Sequence, residues 1–239
     1  ARDVTHETTE LLGLGFAPPT RDSLITHLRA RGYSDELLLR SGLATARDGQ
    51  PMIDRFRNRL VVPIARDTGS VIAFGARALQ PDQQPKYLNS RETPVYSKAH
   101  TLYGLHLSKS AIRKAGYAVL VEGYFDLAQA VQAGVTPVVA ACGTAVSEQQ
   151  VKLLKRFTSK VIMSFDPDPA GDGAAAVYER SRNSSPLRAP RRNPLLIGFL
   201  AGGNSRHSDE IQGHFGASPG ETVSKSWSIT RGRSDARES

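Results

Sequence analysis

The sequence predicts an α/β fold in which a parallel sheet flanked by helices follows an α+β region at the N-terminus. Two observations predict it. From about residue 105 onward, short and fully apolar strands alternate with helices, which is typical of a parallel sheet covered on both faces. Before that point, the segments 59–65 and 71–79 have the composition of strands and are joined by a turn at 66–69.

The first fifty residues are predicted to form short helices separated by loops. Apolar residues recur at helical spacing within 22–31, and Gly32 ends that segment. Ser34 is predicted to cap a second short helix, 35–40, which Gly42 closes. The polar stretch 80–99 is predicted to be a loop.

The elements of the second half are predicted from apolar runs, glycines and capping residues. Ser147 and Gln150 form a capping box at the start of one helix. The predicted strands are 118–121, 136–141 and 160–165, and the predicted helices are 108–115, 124–133, 147–157 and 171–182.

Three regions follow from this pattern. We expect a basic N-terminal region over residues 1–104 and the parallel-sheet domain over 105–182. Residues 183–239 are rich in Ser, Arg and Gly, and only 195–200 has the character of a strand. We expect this tail to be irregular and poorly ordered.

The amino-acid composition indicates which classes of partner and cofactor to expect. The chain has 31 Lys and Arg against 23 Asp and Glu, a net charge of +8, which favours polyanions such as nucleic acid. Its one cysteine, Cys142, argues against a disulfide framework and against a Cys-rich zinc site, so we expect no zinc in this chain. We see no signal peptide and no apolar run of membrane-spanning length, and we expect a cytoplasmic protein with no membrane partner.

Two acidic motifs follow predicted parallel strands. Glu122 comes directly after one strand, and Asp166 and Asp168 come directly after another. Ligand sites of open α/β sheets lie beyond the carboxyl ends of strands, so we expect the three carboxylates to converge. Such oxygen ligands suit Mg²⁺. The alternative is that each acid merely caps the following helix; this remains the better reading for Asp172.

These motifs resemble the Toprim signature, a Glu followed later by Asp-x-Asp, and specifically the form found in DnaG-type bacterial primases. Motifs elsewhere in the chain occur in the order of that family, and the resemblance covers roughly residues 2–176. These motifs are Asp-Arg-Phe-Arg-Asn-Arg at 54–59, Phe-Gly-Ala-Arg at 74–77, Pro-Lys-Tyr-Leu-Asn-Ser at 85–90, Leu-Tyr-Gly-Leu at 102–105 and Gly-Thr-Ala at 143–145.

The resemblance implies roles for individual residues. Glu122, Asp166 and Asp168 would be catalytic and would bind Mg²⁺ or Mn²⁺, with Asp126 as a supporting acid. A basic groove would bind template and nucleotide phosphates through the residues Arg55, Arg57, Arg59, Arg77, Lys86 and Lys98. Tyr87 would offer a stacking face to a base. For Arg55 and Arg57, a solvated strand edge is the competing interpretation.

The implied reaction is synthesis of short RNA primers from ribonucleoside triphosphates on a single-stranded DNA template during replication. The implied setting is the bacterial cytoplasm near the nucleoid, with a replicative helicase bound through a domain outside this sequence. One departure matters: the acidic pair that completes the family's metal site has no clear counterpart, and Asp209 and Glu210 are poorly spaced substitutes. The alternatives are therefore another Toprim enzyme, either a nuclease or a topoisomerase-like protein, and a catalytically incomplete fragment that only binds nucleic acid.

Overall fold

The structure is a computed structural model, and it describes residues 4–142, 146–165 and 176–177. The helices and strands of these residues, in chain order, are α1 (His6–Leu11), β1 (Gly15–Ala17), α2 (Ser23–Ala30), α3 (Asp35–Arg40), β2 (Ala44–Thr45), β3 (Ile53–Asp54), β4 (Arg59–Ala65), β5 (Val71–Ala78), β6 (Tyr87–Asn89), a 3-10 turn (Lys98–His100), α4 (Leu105–Ala115), β7 (Ala118–Val121), α5 (Tyr124–Gln132), β8 (Val138–Ala140), α6 (Glu148–Leu154) and β9 (Val161–Ser164).

The N-terminal region is built on an antiparallel sheet with the strand order β1-β4-β5-β6. β4 and β5 confirm the two predicted strands, and they pair in a register that sets Leu60 opposite Arg77. A separate two-stranded sheet joins β2 to β3. Helices α2 and α3 confirm the predicted helices, and the Ser34 hydroxyl accepts the Leu37 N–H at 3.3 Å as the predicted cap.

Two predictions for this region were wrong. Residues 80–99 are not only loop, because β6 pairs with β5 and a 3-10 turn follows. The first fifty residues contain β1 and β2 as well as helices. These strands are two or three residues long and lie at sheet edges or in the small hairpin, so they carry too few residues to show the alternation by which a strand is recognised.

The second region contains a parallel sheet with the strand order β8-β7-β9. Alternate residues of its strands face two different cores. Leu120 and Val139 pack in one cluster, with α6, whereas Val121 and Val138 pack in the other, with α5. The predicted α/β fold with a parallel sheet covered on both faces is therefore confirmed.

The two sheets share one core cluster, and α5 lies between them. Val62 and Ala73 of the antiparallel sheet belong to the same buried cluster as Val138 of the parallel sheet and Phe125 of α5. The division at residue 104 remains a prediction within this continuous packing. Tyr103 connects the N-terminal region directly to the parallel sheet, because its N–H and C=O both form hydrogen bonds with Ala140 of β8, at 2.9 and 3.0 Å.

Gly75 in β5 permits the closest approach between the two regions. A Cβ atom at this position would lie 2.5 Å from the ring of Tyr124, the first residue of α5. Only glycine leaves room for that ring, and the sheet surface and the N-terminus of α5 consequently meet.

Part of the sequence prediction lies outside the described residues. This applies to the tail 183–239, to most of the predicted helix 171–182 and to the motif 143–145. Within the described part of the chain, no helix combines the length and apolar character needed to cross a membrane.

Candidate metal and nucleic-acid site

The carboxyl ends of β7 and β9 lie side by side. Val121, the last residue of β7, pairs with Ser164, the last residue of β9, and Glu122 follows Val121 directly. On the other side, the Cys142 N–H donates to the Glu122 carbonyl at 2.8 Å. Glu122 thus lies at the C-terminal end of the central strand, on the edge of the sheet formed by the strand ends, where the metal site is predicted. Asp166 and Asp168 lie outside the described residues, and their convergence with Glu122 remains a prediction.

Asp126 holds the turn that follows Glu122. Its Oδ2 accepts the Gly123 N–H at 3.0 Å, which closes the first turn of α5. An acidic side chain at the N-terminus of a helix is also favoured by the helix dipole. The Asp126 carboxylate therefore has a local structural role in addition to the predicted supporting role at a metal.

Lys98 is the first residue of the 3-10 turn. Burial raises the pKa of the Cys142 thiol, whereas the nearby Tyr124 side chain and the charge of Lys98 act in the opposite direction. The charge of Asp126 raises it further. The charges of Lys98 and Asp126 thus act in opposite directions on the residue whose N–H bonds to the Glu122 carbonyl.

The described donors suit a hard divalent cation. Glu122 and Asp126 supply carboxylate oxygens at one sheet edge, and Mg²⁺ in proteins is bound through one or two carboxylates together with water and phosphate oxygens. Among residues 4–142, 146–165 and 176–177, no group of three or more His, Cys, Asp or Glu side chains could hold a metal. The predicted Asp166 and Asp168 would supply the further carboxylates.

Arg77 connects the antiparallel sheet to this edge. Its guanidinium carbon lies 5.1 Å from the ring centroid of Phe125, three residues after Glu122. The same group lies 5.6 Å from the ring centroid of Tyr87 and donates to the Tyr87 hydroxyl at 3.1 Å. Tyr87 is 40% exposed, so it keeps a free area of ring beside a positive charge.

Lys86 lies on a loop that Arg59 holds in place. Arg59 is buried, and its guanidinium donates to the carbonyls of Pro85 at 2.7 Å and Gln84 at 3.2 Å. Burial, followed by the charge of Arg57, lowers the pKa of Arg59. The Lys86 side chain itself is exposed. Arg59 therefore supports the loop that carries Lys86, and its contribution to the predicted groove is to position that loop.

Arg55 and Arg57 are half-buried, and both contact backbone carbonyls. Arg55 donates from Nε and Nη2 to the Asn89 carbonyl, at 3.2 and 2.6 Å, and burial followed by the charge of Arg91 lowers its pKa. Arg57 donates to the Asp54 carbonyl. Neither side chain is a fully solvated strand edge.

Two structural features beside Glu122 escaped the sequence prediction. Tyr124 is buried, donates to Asn89 Oδ1 at 2.9 Å and packs edge-on against Tyr103 with the ring centroids 5.0 Å apart. It thereby ties the turn after Glu122 to β6. Cys142 has a φ of +57°, which is strained for a side chain other than glycine. The glycine inside β5 was the available signal for the first feature.

Comparison with known proteins matches each of the two regions to a family model. Residues 1–109 match the family described as DNA primase catalytic core, N-terminal domain, and residues 119–188 match the Toprim-like family. The DNA primase of Streptomyces coelicolor is 44% identical over 180 residues, which cover 73% of this chain and 28% of that protein. The chain spans less than a third of the length of the curated relatives that it matches.

Solved structures of DNA primases resemble this chain as well. A DNA primase domain from Pseudomonas aeruginosa superposes with a TM-score of 0.73 at 38% identity, covering 85% of this chain and 62% of that one. The RNA polymerase domain of Mycobacterium tuberculosis primase DnaG, in complex with a double-stranded DNA oligomer carrying a 6-nucleotide overhang, gives a TM-score of 0.68 at 38% identity. The match covers 73% of this chain and 57% of that one. The chain therefore belongs to the DnaG-type bacterial DNA primases and corresponds to part of their catalytic core.

Proposed function

We propose that this chain carries the nucleotidyl-transfer site of a DNA primase, which extends an RNA primer on a single-stranded DNA template. The observation that carries the proposal is the contact between Arg77 and Phe125, since it brings a basic sheet surface to the sheet edge that bears Glu122. Polymerisation needs both features at one place: cations for phosphates and carboxylates for metal. The DNA-bound M. tuberculosis relative supports a nucleic-acid partner.

The basic surface would bind the polyanionic substrates. Lys86, Arg77 and Lys98 offer positive charge near the edge, and Tyr87 offers the exposed face of an aromatic ring beside Arg77. Phosphate attraction of this kind does not depend on base sequence, and stacking on an aromatic ring is also sequence-tolerant. Template and ribonucleoside triphosphates are the proposed ligands.

Glu122 would hold Mg²⁺ or Mn²⁺ together with Asp166 and Asp168, with Asp126 orienting the turn. When bound, such a cation supplies charge neutralisation for the transferred phosphate and lowers the pKa of a coordinated hydroxyl. The protein fixes Glu122 from two sides, through the β7–β9 pairing and through the Cys142 N–H. These contacts fix the backbone from which the Glu122 carboxylate extends.

Product analysis tests the proposal. The protein is incubated with a fluorescently labelled single-stranded DNA template, radiolabelled ribonucleoside triphosphates and Mg²⁺ or Mn²⁺, and the products are separated on a denaturing gel on which both labels are read. Template-dependent oligoribonucleotides are the expected result. Cleavage of the template without synthesis would contradict the proposal and favour a Toprim nuclease.

A second candidate is a fragment that binds nucleic acid without catalysis. The sequence favours it at one point, because the acidic pair expected after residue 182 has no clear counterpart and the Toprim-like match ends at residue 188 of 239. Template binding without synthesis under either metal, by a protein that unfolds cooperatively, is the outcome expected of this candidate.

A further inference from the structure

Three arginines line one pocket beside the β2–β3 hairpin, at a distance in sequence from the acidic motifs. The pocket has a volume of about 320 Å³, and its lining includes Arg21, Arg47, Arg57 and Gln50. No acidic residue of the described part of the chain lines it. We refer to this feature, defined by Arg21, Arg47 and Arg57, as the arginine pocket.

The positive charge of the arginine pocket is not neutralised locally. Across the described ranges, none of its three guanidinium groups forms an ion pair with Asp or Glu. Arg57 also lowers the pKa of Arg59, although burial is the larger cause, so like charges are crowded here. Such crowding favours an anion, and guanidinium groups match the geometry of phosphate oxygens.

A chain of contacts leads from the pocket to the acidic edge. The Arg57 carbonyl accepts a hydrogen bond from Gln83 Nε2 at 2.9 Å. The next two residues, Gln84 and Pro85, are held by Arg59, and Lys86 and Tyr87 follow them. Tyr87 contacts Arg77, which contacts Phe125. These contacts thus connect the pocket to α5 along the sheet.

The pocket is close enough to the groove for one strand to reach both. Arg57 precedes Leu60 by three residues, which span at most about 11 Å, and Leu60 pairs with Arg77. Successive phosphates of a strand in a duplex are spaced at about 3.4 Å along the axis, and those of an extended strand are farther apart. Paired strands lie about 5 Å apart, so the Cα atoms of Arg57 and Arg77 are at most about 16 Å apart, which corresponds to about five nucleotides or fewer.

We propose that the arginine pocket binds a backbone phosphate of the same single-stranded nucleic acid that lies against Tyr87 and Arg77. The inference rests on the proposed function for the identity of that strand. A free nucleotide is the other possible source of the phosphate. The lining favours the strand, because it contains no aromatic side chain on which the base of a free nucleotide could stack.

Binding measured without divalent metal tests this independently of catalysis. The affinity of a fluorescent single-stranded oligodeoxynucleotide is measured by anisotropy at several NaCl concentrations, for the wild type and for Arg21→Ala/Arg47→Ala. The matched control is Arg31→Ala/Lys114→Ala, which removes the same charge from two exposed residues outside the pocket. Thermal unfolding confirms that each protein is folded.

The pocket variant is expected to lose at least about fivefold in affinity, and its plot of log K against log[NaCl] should become shallower by about 1.4, as for two phosphate contacts on a single strand. Wild-type behaviour of the pocket variant, or an equal change in the control, would overturn the inference. Equilibrium dialysis with labelled ATP distinguishes a nucleic-acid strand from a free nucleotide as the source of the phosphate. If the pocket variant lost ATP binding but kept its oligonucleotide affinity, the inference would also be overturned. If the wild type makes no primers while the binding result holds, only the proposed function fails.

Discussion

Two short motifs, residues 54–59 and residues 122–126, use charged side chains in different ways. In the first motif, charged side chains form hydrogen bonds within the protein: Asp54 and Arg59 are buried, and backbone groups of this chain are their partners. In the second, Asp126 holds one turn and Glu122 is fixed through its backbone at a sheet edge. The comparison teaches that a charge-rich motif can be mainly a scaffold for charges carried elsewhere.

The largest stability effect should come from Asp54→Ala. The Asp54 carboxylate accepts the N–H groups of Leu24 and Ile25, at 2.8 and 3.0 Å, and so caps α2 from a distant strand. Its removal leaves buried donors unpaired, and we expect the free energy of unfolding to fall by about 3 kcal/mol. Urea denaturation measures this, with exposed Asp48→Ala as the control. A loss below about 1 kcal/mol would show that Asp54 is not a scaffold residue.

A matched arginine pair sharpens the comparison. Arg59→Ala removes a buried guanidinium with two carbonyl partners, and we expect a loss of about 2 to 3 kcal/mol because bonds to charged groups are strong and the carbonyls are left unpaired. Arg77→Ala should cost less than about 1 kcal/mol and should weaken oligonucleotide binding instead. Equal stability losses in the two variants would remove the distinction between scaffold and ligand-binding arginines.

Gly75→Ala should loosen the join between the regions. The new methyl group would lie 2.5 Å from the Tyr124 ring, and we expect a loss of about 2 kcal/mol, as for other overpacked cores. Gly15→Ala is the control, because no atom lies within 4 Å of the corresponding Cβ position. Adding Tyr124→Ala should make the effect of Gly75→Ala smaller, which double-mutant analysis of unfolding would show. Additive losses would contradict a direct clash.

The smallest expected effect is a loss of stability that occurs only at alkaline pH. Burial raises the pKa of Tyr96 to about 12 and also raises the pKa values of Tyr103 and Tyr124. Since the folded state binds these protons more tightly, their stability contribution is complete below about pH 10 and is lost as the pH rises through 12. The raised pKa of Cys142 starts the loss somewhat earlier, from about pH 8.5. Urea unfolding between pH 8 and 12 measures the decline, which Tyr103→Phe should reduce. Constant stability over that range would contradict it.

The fold was predictable where elements are long and patterned. The apolar run at β7 and the capping box of Ser147 and Gln150, with both bonds at 3.0 Å, gave their elements correctly. β6 was not predictable, because three residues at a sheet edge are stabilised by partners that are distant in sequence. The same limit applies to the site: its residue types were readable, but the burial of Arg59 depends on the fold of residues 84 and 85.

The central claim is that the edge bearing Glu122 performs synthesis while the basic sheet surface performs binding. Primer synthesis at saturating single-stranded template, measured beside template affinity, tests it most directly with Glu122→Gln and the control Glu148→Gln, an exposed acid on α6. We predict that Glu122→Gln lowers the synthesis rate by about 100-fold or more with template affinity within about twofold of wild type, and that the control matches the wild type. Synthesis retained in Glu122→Gln would contradict the account.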